Sequence, residues 1–265
     1  MPPCWGVGPS ILMYHSIGEN SADVFAVSGD AFREQISWLS EHGFHVVSLL
    51  SLLQSIQARD YRMLSKKVVI TFDDGYKDFL TNALPILLEH KAPATVFLVT
   101  DMLGGRASWN ESETHVRLMS EDEVRYIKAQ GISLGSHTAT HANLTMLDPK
   151  NLQHELGDSH ERLTRLGESF YSFSYPWAQW SSPVIGAVKD SGYECAVAAG
   201  GQIRLTDLNT YLLPRIAMRR DMHLNLFQSL LTRTQVGMEI RRRCRAALRI
   251  RFGRLDKISY KSGIV

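Results

Sequence analysis

Cysteine is scarce in this sequence: Cys4, Cys195 and Cys244 are far apart, and none belongs to a Cys-x-x-Cys pair. That excludes a disulfide framework and a thiolate metal centre, and it suits a reducing compartment. Long apolar runs are missing as well. No stretch approaches the ~20 residues that a membrane-spanning helix needs, which excludes a bilayer-spanning role. The opening residues, Met1-Pro2-Pro3-Cys4-Trp5-Gly6, have no basic segment followed by an apolar one, so no secretory leader is read there. The expected location is cytoplasmic, or peripheral on the cytoplasmic membrane face. Internal repeats and low-complexity segments are also lacking.

What is present is ordinary for a globular protein. The 265 residues are 44% hydrophobic and 21% charged, with 19 Gly and 9 Pro, values that exclude disordered, collagen-like and coiled-coil chains. The length suits one α/β barrel or two smaller domains. The net charge of +2 hides an asymmetry, because residues 219–265 hold 12 Lys/Arg against 3 Asp/Glu, leaving 17 against 24 in residues 1–218. An acidic body thus carries a basic C-terminal extension, and the expected division is 8–218 for the body and 219–265 for the tail. In that tail Arg241, Arg242, Arg243, Arg245, Arg249, Arg251, Arg254 and Lys257 alternate with apolar residues. Three readings follow: a helix docking its apolar stripe on the body, a surface for anionic lipid headgroups, or nucleic-acid binding. The last lacks a matching fold motif, and no nucleic-acid partner is expected.

Along the body, short apolar runs alternate with helical patterns. Strands are expected at Ser10–Tyr14, Phe44–Val47, Lys67–Phe72, Thr95–Val99, Ile132–Gly135, Phe170–Tyr175, Tyr193–Ala198 and Tyr211–Ala217. Helices are expected from an Asp30 cap to Gly43, over Ser48–Gln57 and Asp78–His90, from a Ser120 capping box to Gly131, and from Asp148-Pro149 to Gly167. Strand and helix in repeated alternation, with no linker, predict a single parallel α/β barrel. Residues 102–119 are expected as a long loop over one face.

Two motifs carry chemistry. Asp73 and Asp74, in Thr71-Phe72-Asp73-Asp74-Gly75, directly follow a buried strand, so they belong on the carboxyl-end face where sites of such folds collect. Adjacent carboxylates repel, and a cation beside them would relieve the cost; Asp-Asp-Gly is equally good turn chemistry. His137 and His141, in Ser136-His137-Thr138-Ala139-Thr140-His141, follow a strand to the same face. Four apart, they are expected to share one side of a helical turn and reach one metal ion, or else to be solvated imidazoles. Together the motifs offer a His-His-Asp set suited to zinc or a similar divalent ion, with the second carboxylate free to act as a base. In Phe173-Ser174-Tyr175-Pro176-Trp177 a proline ends a strand on the same face, either as a plain terminator or to aim a backbone N–H into the site. Tyr76, Trp109, Trp177 and Trp180 are candidates for a sugar-stacking groove, with Tyr175 and Pro176 beside them.

TFDDG, then HTATH, then YPW, preceded by ILMYHSI and followed by the LPRI run at 213–216, resemble the polysaccharide deacetylases of the NodB-homology type, carbohydrate esterase family 4. The likeness runs from about Ser10 to about Ala217, and the MYHSI form is similar to members acting on poly-N-acetylglucosamine. It implies a distorted (β/α)7-type barrel and metal-dependent N-deacetylation of amino-sugar polymers. By position it implies Asp73 as catalytic base and Asp74, His137 and His141 as ligands of a divalent metal, zinc first, with Co2+, Ni2+ or Mn2+ as alternatives. The metal would polarise the acetamide and acidify water, and the Trp177 backbone N–H would meet the oxyanion. Two departures stand out. The arginine that orients the base in the family is replaced by Ser174, for which Arg215 is the candidate substitute. The late Leu-x-His is absent, Met222-His223 being the nearest remnant, and His15 is the candidate general acid or else structural. The expected function is removal of N-acetyl groups from an N-acetylated glycan or glycan precursor. The alternatives are hydrolysis of a small acylated substrate and carbohydrate binding with little catalysis.

Overall fold

The runs richest in β-branched and aromatic residues are buried along their length, as strands covered on both faces must be. Ser10–Tyr14 (β1) and Ala94–Leu98 (β4) are buried at every position, and Lys67–Phe72 (β3) at all but the first. The structure is a computed structural model, and it describes residues 9–19, 23–60, 64–109, 116–200, 203 and 208–232. The other strands are His45–Val46 (β2), Ser133–Ser136 (β5), Ser172–Ser174 (β6), Cys195–Ala199 (β7) and Leu213–Ala217 (β8).

All pairings between these strands are parallel, in the order β1-β8-β7-β6-β5-β4-β3, and β1 closes the ring on β3. The closing register runs from Ser10 opposite Val68 to Tyr14 opposite Phe72. β2 pairs only with the first two residues of β3, ahead of β4, which joins at Ile70. The result is the expected distorted barrel of seven strands. Alternate strand residues divide between two cores. Ile11, Val69, Phe97, Cys195, Val197 and Leu213 pack with Leu49, Leu52, Leu53 and Ile56 of α2 (Leu49–Gln57). Their neighbours Leu12, Ile70, Val96, Ala196 and Ile216 belong to the larger core with the flanking helices.

The helices are α1 (Gly29–Glu41), α2, α3 (Leu84–Glu89), α4 (Glu121–Ala129), α5 (Pro149–Arg165), α6 (Ser182–Asp190) and α7 (Leu224–Thr232). Ser120 and Glu123 form the anticipated capping box of α4, and Asp148 caps α5 ahead of Pro149. The cap of α1 is Ser28, whose Oγ accepts from the Ala31 N–H; Asp30 lies inside the first turn. The 78–90 segment divides into a π-helical turn, Phe79–Ala83, followed by α3. α6 was not anticipated from the pattern, having only Val184 and Val188 buried; α7, with Phe227, Leu230 and Leu231 buried, falls in the extension read as helical from residue 219.

Past β8 the chain returns along α1. Phe227 of α7 meets Trp38 edge-to-face at 5.9 Å, and Gln35 Nε2 donates to the Met222 carbonyl at 2.9 Å. The Arg-rich run 241–257, on which the lipid, nucleic-acid and docking readings of the tail rest, lies outside the described residues.

Candidate active site

Strand ends place the polar residues. One cleft is lined by His15 after β1, Asp73 and Asp74 after β3, His137 and His141 after β5, Tyr175 and Trp177 after β6, and Arg215 within β8. Met13, Trp109, Ala178 and Ala199 complete its wall.

Asp73 is anchored by its own N–H, which donates to the Tyr14 carbonyl at 3.0 Å. Arg215 Nη1 donates to Asp73 Oδ1 and Nη2 to Oδ2, both at 2.7 Å, a bidentate fork buried on both sides. The same guanidinium reaches Ser174 Oγ at 2.7 Å and Thr71 Oγ1 at 3.1 Å, and its Cζ lies 5.5 Å from the centre of the Phe97 ring. Ser174 therefore leaves room for an arginine that arrives from the last strand. Burial pushes the Asp73 carboxyl up, but Arg215, helped by His137 and His15, outweighs it and holds the group below its ordinary value, ionised at neutral pH.

The second carboxylate turns away from this pair. Asp74 takes a left-handed backbone, φ +72°, that an aspartate tolerates better than most residues. Its Oδ1 lies 3.5 Å from His137 Nε2 and 3.3 Å from His141 Nε2, and among the described residues it accepts no hydrogen bond. The ligand-capable atoms of Asp74, His137 and His141 are within 4.8 Å of one another, and all three residues are buried. Burial pushes His141 down to about 4, so at pH 7 its imidazole is neutral, the form that binds metals. An orphaned carboxylate oxygen facing two imidazole nitrogens is the donor set a zinc-like cation satisfies.

The histidines converge by another route than the helical turn expected from their spacing. Residues 137–141 form an irregular loop in which Thr138 and His141 are left-handed, at φ +68° and +66°. Side-chain hydroxyls make that shape: Ser136 Oγ accepts from the Thr138 N–H at 3.1 Å, and Thr138 Oγ1 from the His141 N–H at 2.9 Å. His137 Nδ1 bonds the Ser174 carbonyl at 2.8 Å.

The aromatic candidates divide. Trp109, from the 102–119 segment, stacks on His141 with centroids 4.4 Å apart, and Trp177 meets the same ring edge-on at 4.8 Å. Trp177 is left-handed, φ +60°, and its Nε1 donates to the His141 carbonyl at 2.9 Å. Tyr175 faces the cleft with its hydroxyl bonded to the Tyr211 carbonyl at 2.9 Å. Three of the expected sugar contacts lie outside this cleft. Tyr76 bridges to Leu118, which turns its ring into a cluster with Ala107 and Leu118. Pro176 is buried where it opens a 3-10 turn, and Trp180 packs on the main core. None of the three lines the cleft. His15 does, 4.9 Å from the Phe25 ring. Met13 and Ala199 were not foreseen, since an apolar strand-end residue looks the same whether it faces a core or a cleft.

The chain was compared with known proteins. The family model described as polysaccharide deacetylase matches residues 60–196, just over half of the chain. YxkH of Bacillus subtilis (strain 168), named for the same family, is 28% identical over 207 residues, covering 78% of this chain and 70% of that one. The poly-beta-1,6-N-acetyl-D-glucosamine N-deacetylase of Staphylococcus aureus (strain MRSA252) is 25% identical over 207 residues, covering 74% and 69%. Among solved structures, the Streptococcus pyogenes deacetylase PplD in complex with acetate superposes with a TM-score of 0.73 at 25% identity, covering 84% of this chain and 98% of that one.

Proposed function

Because the chain belongs to the polysaccharide deacetylase family, we propose that it hydrolyses N-acetyl groups from amino sugars of a glycan or glycan precursor, and does so with a bound divalent metal. The carrying observation is the pairing, in one cleft, of a carboxylate kept ionised by a buried arginine with a separate Asp-His-His group. The Staphylococcus relative is named for poly-N-acetylglucosamine, which makes N-acetylglucosamine oligomers the first substrate class to examine.

In this reading Asp74, His137 and His141 hold the metal, zinc before Co2+, Ni2+ or Mn2+. When bound, it supplies a Lewis acid for the acetamide carbonyl and a water of lowered pKa. Asp73 accepts the proton of the attacking water, and Arg215 keeps both its charge and its orientation. The Trp177 backbone N–H donates to the developing oxyanion, and His15 delivers the proton that lets the amine depart. Tyr175, Trp177 and Trp109 supply apolar faces for pyranose rings.

The test is acetate release from an N-acetylglucosamine oligomer and from a simple acetyl ester. Zinc-loaded protein, chelator-treated protein and Asp73→Asn are compared. Release that needs zinc and disappears in Asp73→Asn supports the reading. Release indifferent to the chelator overturns the metal mechanism, and zinc uptake without any release favours a carbohydrate-binding barrel.

A further inference from the structure

The two histidines of the candidate metal group are oriented by different means. His137 has the usual outer partner of a metal-ligating imidazole, the Ser174 carbonyl on Nδ1. His141 has none: its Nδ1 is buried without a hydrogen-bond partner among the described residues. Its ring position therefore depends on the rings of Trp109 and Trp177 and on the backbone that carries it. That backbone is a left-handed loop of non-glycine residues, which holds only if its surroundings over-determine it.

The surroundings are one face of α5. Glu155, 6% exposed, accepts from both donors of Thr140, the backbone N–H at 2.9 Å on Oε2 and the hydroxyl on Oε1. One helical turn further, Ser159 Oγ bonds Ser136 Oγ, the atom that receives the Thr138 N–H. Glu155 thus grips the residue next to His141, and Ser159 the residue before His137. The opposite edge is held through carbonyls, with the N–H groups of Thr100 and Asp101 bonding the carbonyls of Thr138 and Ala139 at 3.1 and 2.9 Å.

We propose that Glu155 is a positioning residue: acting through Thr140, it sets the orientation of His141 and so the affinity of the group for its metal. The inference rests on the metal-dependent reading above. Glu155→Met removes both acceptors while keeping a side chain of similar length, whereas Glu155→Gln could keep both contacts, because the Thr140 hydroxyl can turn to accept from the amide.

The test measures Zn2+ affinity by chelator competition and the visible spectrum of the Co2+-loaded protein, with the melting temperature of the metal-free protein alongside. Glu155→Met is expected to weaken Zn2+ binding by about 10- to 100-fold, as loss of an outer partner does, and to alter the Co2+ spectrum. Glu161→Met is the control, since Glu161 is exposed on the same helix and pairs with Arg165. Thr140→Val removes the hydroxyl bond and leaves the backbone bond; it is expected to weaken binding less, and it serves if Glu155→Met fails to fold. A lower melting temperature with unchanged Zn2+ affinity and Co2+ spectrum in the folded variants would overturn the proposal and leave Glu155 a fold-stabilising residue. A wild-type protein that takes up no Zn2+ would overturn the metal reading itself, and this inference with it.

Discussion

At the scale of the residue, Arg215 and Asp73 exist for one another. A buried carboxylate is tolerable only when paired, and the planar fork of arginine matches both of its oxygens where an ammonium cannot. Arg215→Lys keeps the charge but loses the fork and one of the contacts to Ser174 and Thr71. Acetate-release kinetics should then show kcat/KM reduced by up to about 100-fold, the lower end of what a positioned base contributes. The acid limb of the pH profile should move upward, since Arg215 is what holds Asp73 below its ordinary value. A half-buried carboxylate behaves oppositely. Asp78 receives the Ser16 hydroxyl on Oδ2 and is pushed by burial from 3.8 to about 6, with Asp23 adding repulsion. Its folded-state value is raised, so its contribution to stability is fully present below about 4 and is lost as pH rises through about 6. Asp78→Asn, which can still accept from Ser16, should match the wild type near pH 4 and exceed it by up to about 3 kcal/mol above pH 7. Urea unfolding across that range checks this; a difference independent of pH would exclude Asp78 titration as the source.

At the scale of the element, the strands were legible because burial on both faces demands continuous apolar runs: Ser10–Tyr14 and Lys67–Phe72 stand at their anticipated bounds. The face that the Asp-Asp and His-His motifs share followed from the same alternation. The shape of the histidine loop did not, because a spacing of four fits a helical turn and a hydroxyl-bonded left-handed loop alike, and only Ser136 and Thr138 with their contacts decide between them. Tyr76 and Trp180 looked like sugar contacts because side-chain chemistry does not reveal which way a loop turns its rings. Arg215 was named from a gap at Ser174, while its grip on Asp73 depends on barrel closure. Gly135 was likewise opaque. It reads as a strand residue, yet a Cβ there would lie 2.4 Å from Phe97 Cδ1 and 2.9 Å from Ser172 Oγ. Gly135→Ala should cost about 1–3 kcal/mol as an overpacked site, seen as a lower melting temperature. It should also lower kcat, because the Phe97 ring that must yield lies beneath Arg215.

At the scale of the whole molecule, the cleft gathers side chains from six of the seven barrel strands or their carboxyl ends, so ligand binding and global stability are linked. Zinc at about 100 times its dissociation constant should add about 2.7 kcal/mol to unfolding, read as a raised melting temperature. His137→Ala and His141→Ala should remove that increment, and an equal rise in those variants would place the ion elsewhere. The barrel ring also has a direction in time. Asp73 and Arg215 are separated by 142 positions in the chain, and during synthesis His15, Asp73, Asp74, His137 and His141 all emerge before the strand that carries the arginine. Until β8 slots between β7 and β1, the ring is open and the Asp73 charge has no counter-ion to justify its burial. The last strand therefore works as a latch: a nascent or shortened chain ending before residue 213 would hold every candidate metal ligand and still leave the proposed base Asp73 without its counter-ion, so the proposed site is complete only with the final strand of the barrel.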